Sequence, residues 1–464
     1  MKNPKVGLLP LYIELYDQAW PEIRPVVEKF HLQIATALTE RGIEVTTVPL
    51  CQLERDFEAA VSKFEGEQVD AIVTLHLAYS PSLESASVLA ATPLPIVVLD
   101  TTPAYSFGPD RVTDDTNYNH GIHGVQDMCN LLLRNKKPFQ LEVGHWEQSD
   151  VLDRVAGWAR SARLAGNMRR SRVGRLGPSF RGMGDFAVPS EVLEKTLGIK
   201  TIVGGPELVR SLLAKVDDQA VEAEMASDGQ HFDLKDLKPE VHRRSTMAGM
   251  VIRHWLEMEK LTAFTINFMA VDQAMGLPTM PFLEASKAMA RGIGYAGEGD
   301  VLTAALVGDL ASVYPQTSFT EMFCPDWAGN QIFVSHMGEM NVELAAKTPV
   351  LIEMPFSFSG VKNPAALAGR FRAGEAVLVN LSPGPDHGYT LIVAPVAMQD
   401  VSGADNMVDC IRGWFKPSLS IADFLAEFSR AGGTHHSALV YGNLTDEIVR
   451  WGKLMQWKTV ILNA

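Results

Sequence analysis

Short apolar runs alternate with amphipathic stretches through the first third of this chain. The runs that predict buried strands are residues 5–12, 44–49, 71–76 and 95–100. The stretches that predict helices between them are residues 21–41, 57–64 and 82–89. Strands that alternate with helices form a parallel sheet with right-handed crossovers. Ligands of such sheets bind beyond the carboxyl ends of the strands, which draws attention to Leu15, His76 and Tyr79.

The pattern predicts two further domains after this one. A second strand–helix series begins near residue 172, interrupted by an acidic, polar stretch at 216–237 that predicts a surface excursion. Beyond residue 314 strand-like runs follow one another with few helices, which favours a mainly antiparallel barrel. We therefore predict two Rossmann-like α/β domains with parallel sheets, at residues 1–171 and 172–313, followed by a mainly antiparallel, β-barrel-like C-terminal domain at 314–464.

Composition excludes several classes of function. The formal net charge of −14 over 464 residues leaves no basic face for a nucleic acid. No apolar run approaches the roughly 18 residues that a membrane span needs. The four cysteines form no Cys-x-x-Cys pair, which favours reduced thiols and a cytoplasmic protein.

Two glutamates and two histidines stand out because each lies beside glycine or a short polar run. They are Glu298, Glu321, His336 and His436. A single loop glutamate or histidine is more often a solvated charge, but the set together has the oxygen and nitrogen ligands that suit Mn²⁺ and related ions. The nearby Gly292-x-Gly-x-x-Gly297 formally matches a dinucleotide fingerprint. We reject that interpretation because a helical stretch precedes it, where the fingerprint needs a strand.

Four sequence blocks resemble the signatures of the L-arabinose isomerase family. They are Gly294-Tyr-Ala-Gly-Glu298-Gly-Asp300, Thr317-Ser-Phe-x-Glu321, Ser335-His336-Met and Gly432-Gly-Thr-His-His436. The resemblance implies a metal-dependent aldose–ketose isomerase that uses Mn²⁺, or else Co²⁺ or Mg²⁺. It implies Glu298, Glu321, His336 and His436 as metal ligands, and the two glutamates as the catalytic acid/base pair. It also implies a homotrimer or homohexamer, with the active site near a subunit interface.

The resemblance also implies a sugar pocket, in which this chain departs from the family pattern. The implied pocket residues are Leu15, Tyr79, His120, His123, Phe180, Phe268 and Phe358. His120 stands where the family has glutamine, Phe180 replaces a methionine, and Phe358 aligns with a small aliphatic residue. Such changes alter which sugar hydroxyls can be paired.

The identity of the sugar therefore stays open. The leading reaction is L-arabinose to L-ribulose, with D-galactose to D-tagatose as a second. An L-fucose-like sugar, D-arabinose or a shorter aldose are alternatives with the same chemistry. A non-catalytic sugar-binding protein is the alternative of another class.

Overall fold

A computed structural model describes residues 3–234, 236–401 and 403–463 of this protein. The chain divides into two compact units, Lys2–Gly166 and Asn167–Ala464. The predicted domain boundaries at residues 171 and 313 stay predictions. Among the described residues, no helix combines the length and apolar character that crossing a membrane requires.

The N-terminal unit contains a five-stranded parallel sheet. Its strands are β1 (Lys5–Leu11), β2 (Glu44–Thr47), β3 (Ala71–His76), β4 (Ile96–Asp100) and β5 (Phe139–Val143). Its helices are α1 (Glu14–Ala19), α2 (Ile23–Glu40), α3 (Glu54–Gly66), α4 (Leu83–Ala91), α5 (Thr116–Asn119) and α6 (Ile122–Arg134), followed by α7 (Val151–Met168). The strand order β2-β1-β3-β4-β5 makes β1, β3 and β4 internal, and their nearly continuous burial explains their apolar sequences.

A four-stranded parallel sheet opens the second unit. Its strands are β6 (Arg172–Leu176), β7 (Lys200–Gly204), β8 (Ala263–Ile266) and β9 (Gly294–Gly297), in the order β7-β6-β8-β9. Its helices are α8 (Ser190–Leu197), α9 (Pro206–Leu213), α10 (Asp218–His231), α11 (Pro239–Glu259), α12 (Phe282–Ala290) and α13 (Val301–Val313). The prediction of parallel α/β sheets is confirmed for both regions.

Six antiparallel strands close into a barrel in the C-terminal part of the second unit. They are β10 (Thr317–Asp326), β11 (Gln331–Ser335), β14 (Gly374–Pro383), β15 (Tyr389–Met398), β16 (Ile411–Pro417) and β17 (His436–Tyr441). The pairing of β15 with β16 closes the ring. Strands β12 (Val350–Glu353), β13 (Ala365–Arg370) and β18 (Lys458–Ile461) extend the sheet, with helices α14 (Ile421–Arg430) and α15 (Thr445–Leu454). The predicted barrel is confirmed.

Helix α13 packs against both the parallel sheet and the barrel. It is apolar on all sides, and 11 of its residues are buried, as expected for a helix surrounded by protein. It lies very close to β9, because a Cβ on Gly294 would come within 2.2 Å of the Ala304 carbonyl oxygen. The chain entering this helix, residues 298–300, therefore lies at the junction of sheet and barrel.

Residues 216–237, predicted to be a surface excursion, lie mostly at the surface, but most of the stretch is helix α10, which packs against α11. Two of its acidic side chains are paired inward. Arg253 of α11 binds Glu224 of α10 and Glu284 of α12, and Lys287 binds both Glu224 and Asp228.

This ion-pair network yields a stability prediction. Hydrogen bonds from Arg253 and Lys287 lower the pKa of Glu224 from 4.5 to about 2. A lowered carboxylate pKa contributes stability above the unfolded value, and that contribution is lost as pH falls from 4.5 towards 2. Since one pKa unit is about 1.4 kcal/mol and partial exposure reduces the total, we expect Glu224→Gln to lower the free energy of unfolding by about 2 kcal/mol at pH 7. Urea unfolding at pH 7 and pH 3 measures this.

Glu222→Gln is the matched control on the same helix. Glu222 pairs with Arg243, but its side chain is 66% exposed, and exposed pairs contribute little. The prediction fails if the two variants lose equal stability at pH 7, or if the loss in Glu224→Gln is undiminished at pH 3.

Candidate active site

The strand register of the barrel brings three of the four predicted metal ligands together. Glu321 of β10 lies opposite Ser335 of β11 on one side and opposite His436 of β17 on the other. His336 directly follows Ser335. Ligand atoms of Glu321, His336 and His436 consequently lie within 4.8 Å of one another.

Glu298 reaches the same place from the parallel sheet. It directly follows β9 in the left-handed region, with φ of +64°, and Gly299 follows with φ of +81°. This turn leads into α13. Gly297 allows the close approach, because a Cβ there would lie 2.8 Å from Cε1 of His336. Helix α12 ends at Ala290, just before Gly292. The predicted helix before the glycine motif, which argued against a dinucleotide site, is therefore confirmed.

The fourth predicted ligand belongs to a second, overlapping group. Ligand atoms of Glu298, His435 and His436 lie within 4.8 Å of one another, and His436 is common to both groups. Within the described part of the chain, the buried atoms Oε2 of Glu298, Nε2 of His435 and Nε2 of His436 have no hydrogen-bond partner. Buried polar atoms without partners are costly and indicate a missing ligand or ion. Carboxylates and imidazoles at this spacing fit a divalent cation.

Each of the three imidazoles is held by a carboxylate through its other ring nitrogen. Nδ1 of His436 donates to Asp300 at 3.0 Å, Nδ1 of His336 to Glu339 at 2.7 Å, and Nδ1 of His435 to Asp185 at 2.6 Å. A carboxylate on one ring nitrogen fixes the tautomer and leaves the other nitrogen free to bind a metal. The arrangement is typical of histidine ligands.

Two of these carboxylates also bond to neighbouring elements. Asp300 accepts the Thr303 backbone N–H at 2.9 Å and so caps α13. Glu339 accepts a hydrogen bond from the Tyr295 hydroxyl at 2.7 Å. Glu339 therefore links His336, which follows β11, to strand β9. The imidazoles are thereby fixed to both the sheet and the barrel.

The charges in the group compensate one another. Burial would lower the pKa of His435, but the Glu298 carboxylate 3.6 Å away and the Asp185 carboxylate that accepts its Nδ1–H raise it to about 9. The pKa of His336 is also raised, because Glu339 outweighs burial. Burial acts to raise the pKa of Glu298, and His435 and His436 lower it overall. A bound cation would balance the negative charge of the carboxylates in place of the protonated imidazoles, and its binding would displace the imidazole protons.

Three predicted pocket residues lie beside Glu298. The backbone N–H of Phe180 donates to the Glu298 carbonyl at 2.8 Å. The Phe180 ring stacks on Phe268 at 5.2 Å, and Phe268 meets Phe358 edge-on at 5.9 Å. A cavity of about 230 Å³ is lined by Phe268 and Phe358 together with Glu298 and His336.

The other four predicted pocket residues belong to the N-terminal unit. Tyr79 stacks on His120 at 6.1 Å and meets His123 edge-on at 6.0 Å. Tyr16 bonds Nε2 of His120 at 3.0 Å, whereas Leu15 on α1 is exposed. His120 is the C-cap residue of α5, whereas His123 lies in the first turn of α6. Their rings are nevertheless 5.6 Å apart.

Sequence reasoning chose His436 and not His435 as the ligand of the histidine pair, and it missed the supporting roles of Asp185, Asp300 and Glu339. Asp300 carried a signal, since an aspartate directly before an apolar run is a typical N-cap. Glu339 carried a weaker signal, which was its position three residues after His336. Asp185 carried none, because its contact with His435 spans 250 residues of sequence.

Comparison with known proteins gives a consistent result. The model of the L-arabinose isomerase central domain matches residues 195–314, and the model of the C-terminal domain matches residues 316–458. L-arabinose isomerase 2 of Bacillus licheniformis is 28% identical, covering 75% of this chain and 75% of its own length. L-arabinose isomerase of Anoxybacillus flavithermus is 27% identical over 86% of this chain and 81% of its own.

Among solved structures, a glucose–galactose binding protein from Geobacillus stearothermophilus covers 68% of this chain and 92% of its own. Its TM-score of 0.17 and identity of 14% are too low to support an argument. The two domain models together match more than half of the chain. This chain therefore belongs to the L-arabinose isomerase family and is an aldose–ketose isomerase.

Proposed function

We propose that this isomerase converts L-arabinose to L-ribulose with a divalent ion, Mn²⁺ or else Co²⁺ or Mg²⁺, held by Glu298, Glu321, His336 and His436. The observation that carries the proposal is the convergence of these side chains around buried atoms that lack partners. The names of the relatives support L-arabinose as the sugar. D-galactose to D-tagatose is the second reaction included in the proposal.

The reaction moves two protons within the sugar. One carboxylate of the Glu298–Glu321 pair takes the proton from C2 and returns it to C1, and the other relays the hydroxyl proton from O2 to O1 through an enediol. A bound divalent ion would supply Lewis-acid polarisation of the sugar oxygens at C1 and C2. Glu298 lines the cavity, so its carboxylate is accessible to a substrate there.

The carboxylates of Asp185, Asp300 and Glu339 orient the three histidines in this proposal. Asp300 and Glu339 hold His436 and His336 so that Nε2 of each ring is available as a ligand. Asp185 holds His435 beside Glu298, with Nε2 of His435 at 3.6 Å from the carboxylate. His435 can therefore orient Glu298 without being a required ligand.

The proposal also includes the assembly and the compartment. By the family resemblance, the protein is a cytoplasmic homotrimer or homohexamer with its active site near a subunit interface. Light scattering of the purified protein would measure the oligomer directly.

Ketose formation from a panel of aldoses tests the function. With Mn²⁺ present, we expect turnover of L-arabinose, and we expect none after EDTA treatment because the ion is then removed.

Glu321→Gln removes both a ligand charge and a proton carrier, so turnover should fall by about 10²–10⁴-fold or more while the circular dichroism spectrum stays unchanged.

Glu343→Gln is the control for that variant, since Glu343 is exposed and lies outside the site. Near-normal turnover in Glu321→Gln, or full activity of the wild type in EDTA, would refute the proposal. Sugar binding without any turnover would favour the alternative of a non-catalytic sugar-binding protein.

The two neighbouring histidines give a second test. His436 is fully buried and belongs to both groups, whereas His435 is already paired with Asp185. Loss of a supporting group typically costs about 10–100-fold in metal affinity, and loss of a ligand should cost more. We expect His436→Asn to weaken Mn²⁺ binding by more than about 100-fold and His435→Asn, which removes a supporting group, to weaken it by no more than about 10–100-fold. Titration calorimetry measures both, and the reverse order would show that His435 is the ligand.

A further inference from the structure

The turn that carries Glu298 has a strained backbone. Glu298 has φ of +64°, in the left-handed region that residues other than glycine seldom adopt, and Gly299 follows with φ of +81°. A conformation of this kind costs free energy and persists only where the surrounding structure fixes it. The hydrogen bonds to this turn therefore show what keeps the Glu298 carboxylate in the site.

Three successive carbonyls of the turn accept hydrogen bonds from other parts of the second unit. The donors and the carbonyls that accept from them are Thr265 Oγ1 with Gly297 at 3.1 Å, the Phe180 backbone N–H with Glu298 at 2.8 Å, and Ser179 Oγ with Gly299 at 3.3 Å. Thr265 belongs to β8, whereas Ser179 and Phe180 belong to the loop after β6. The turn after β9 is therefore held from two other strands of the same parallel sheet.

The bond from Thr265 opposes the rotation that would relax the strain. The sign of φ at Glu298 depends on the orientation of the peptide plane between Gly297 and Glu298. If this plane turned over, φ of Glu298 would leave the left-handed region, and the Gly297 carbonyl in the same plane would point away from Thr265. The same carbonyl accepts the Asp300 backbone N–H at 3.0 Å. Two bonds thus fix the plane, one from the turn itself and one from β8.

We propose that Thr265 is a positioning residue, whose hydroxyl fixes the Gly297–Glu298 peptide plane and so directs the Glu298 carboxylate into the site. Thr265 is fully buried and is not among the described residues that line the cavity beside Glu298. It therefore acts on the reaction through Glu298 and not through the substrate. This inference rests on the proposed function, in which Glu298 is a metal ligand and a member of the acid/base pair.

Two substitutions separate the hydroxyl of Thr265 from its packing. Thr265→Val keeps the shape of the side chain and removes the hydroxyl, so the fold should tolerate it. Thr265→Ser keeps the hydroxyl and removes a buried methyl group. If Thr265 served packing alone, the serine variant would be the more impaired of the two, because it leaves a cavity. A positioning role predicts that the valine variant is the more impaired.

Titration calorimetry with MnCl₂ measures the effect without any turnover. Loss of a group that orients a metal ligand typically costs about 10–100-fold in metal affinity. We expect Thr265→Val to raise the Kd for Mn²⁺ by about 10–100-fold and Thr265→Ser to raise it by less than about tenfold. The kcat for L-arabinose at saturating Mn²⁺ should fall more in Thr265→Val than in Thr265→Ser.

Thr246→Val is the matched control. Thr246 is also buried, and its hydroxyl also donates to a backbone carbonyl, that of His242 at 3.0 Å within α11. It does not line the cavity. This variant should bind Mn²⁺ as the wild type does. A loss of Mn²⁺ affinity equal to that in Thr265→Val would overturn the inference, because general destabilisation would then account for both.

The outcomes distinguish this inference from the proposed function. Mn²⁺ binding by Thr265→Val equal to that of the wild type, or weaker binding by Thr265→Ser than by Thr265→Val, would overturn the inference and leave the proposed metal site standing. No Mn²⁺ binding by the wild type would refute the proposed metal site, and the crystal structure of Thr265→Val would then decide the inference. A negative φ at Glu298 in that structure would support it, whereas a φ that stays in the left-handed region would overturn it.

Discussion

The fully buried carboxylate of Asp300 holds the site together. One of its oxygens caps helix α13 and the other accepts from His436 of the barrel. A buried carboxylate is tolerated only when it is well hydrogen-bonded, and both partners here are essential parts of the structure. Because α13 packs between the parallel sheet and the barrel, Asp300 fixes His436 of β17 to the turn that carries Glu298.

The site thus depends on two kinds of secondary structure meeting at one point. The antiparallel register sets the spacing of Glu321, His336 and His436, whereas the glycine-flanked turn after β9 supplies Glu298. Neither region contains the complete group. Each of the three imidazoles has a carboxylate behind it, and in the described part of the chain Nε2 of His435 and Nε2 of His436 are buried without a hydrogen-bond partner. This arrangement fits the cation site that we propose.

The sequence predicted the fold classes well, because buried parallel strands such as β1 and β3 are continuous apolar runs. It did not predict the helix α10, because the two acidic residues that pair inward, Glu224 and Asp228, lie among exposed charges. The residue types of Glu298, Glu321, His336 and His436 suggested a proposed metal set, but their meeting could not be derived from the sequence. Glu298 lies in a turn after β9, and 138 positions separate it from His436 in the barrel. Asp185 could not be predicted at all. The phenylalanine side chains of the cavity were predicted only in part, because Phe282 and Phe356 join Phe268 and Phe358 there through the fold.

Anomalous X-ray diffraction from crystals grown with MnCl₂ would show directly whether these side chains bind a divalent ion. We expect one strong manganese peak within bonding distance of Glu298, Glu321, His336 and His436, with Asp300 and Glu339 still bonded to the two histidines. A peak at another place, or no peak at saturating Mn²⁺, would contradict the proposed metal site.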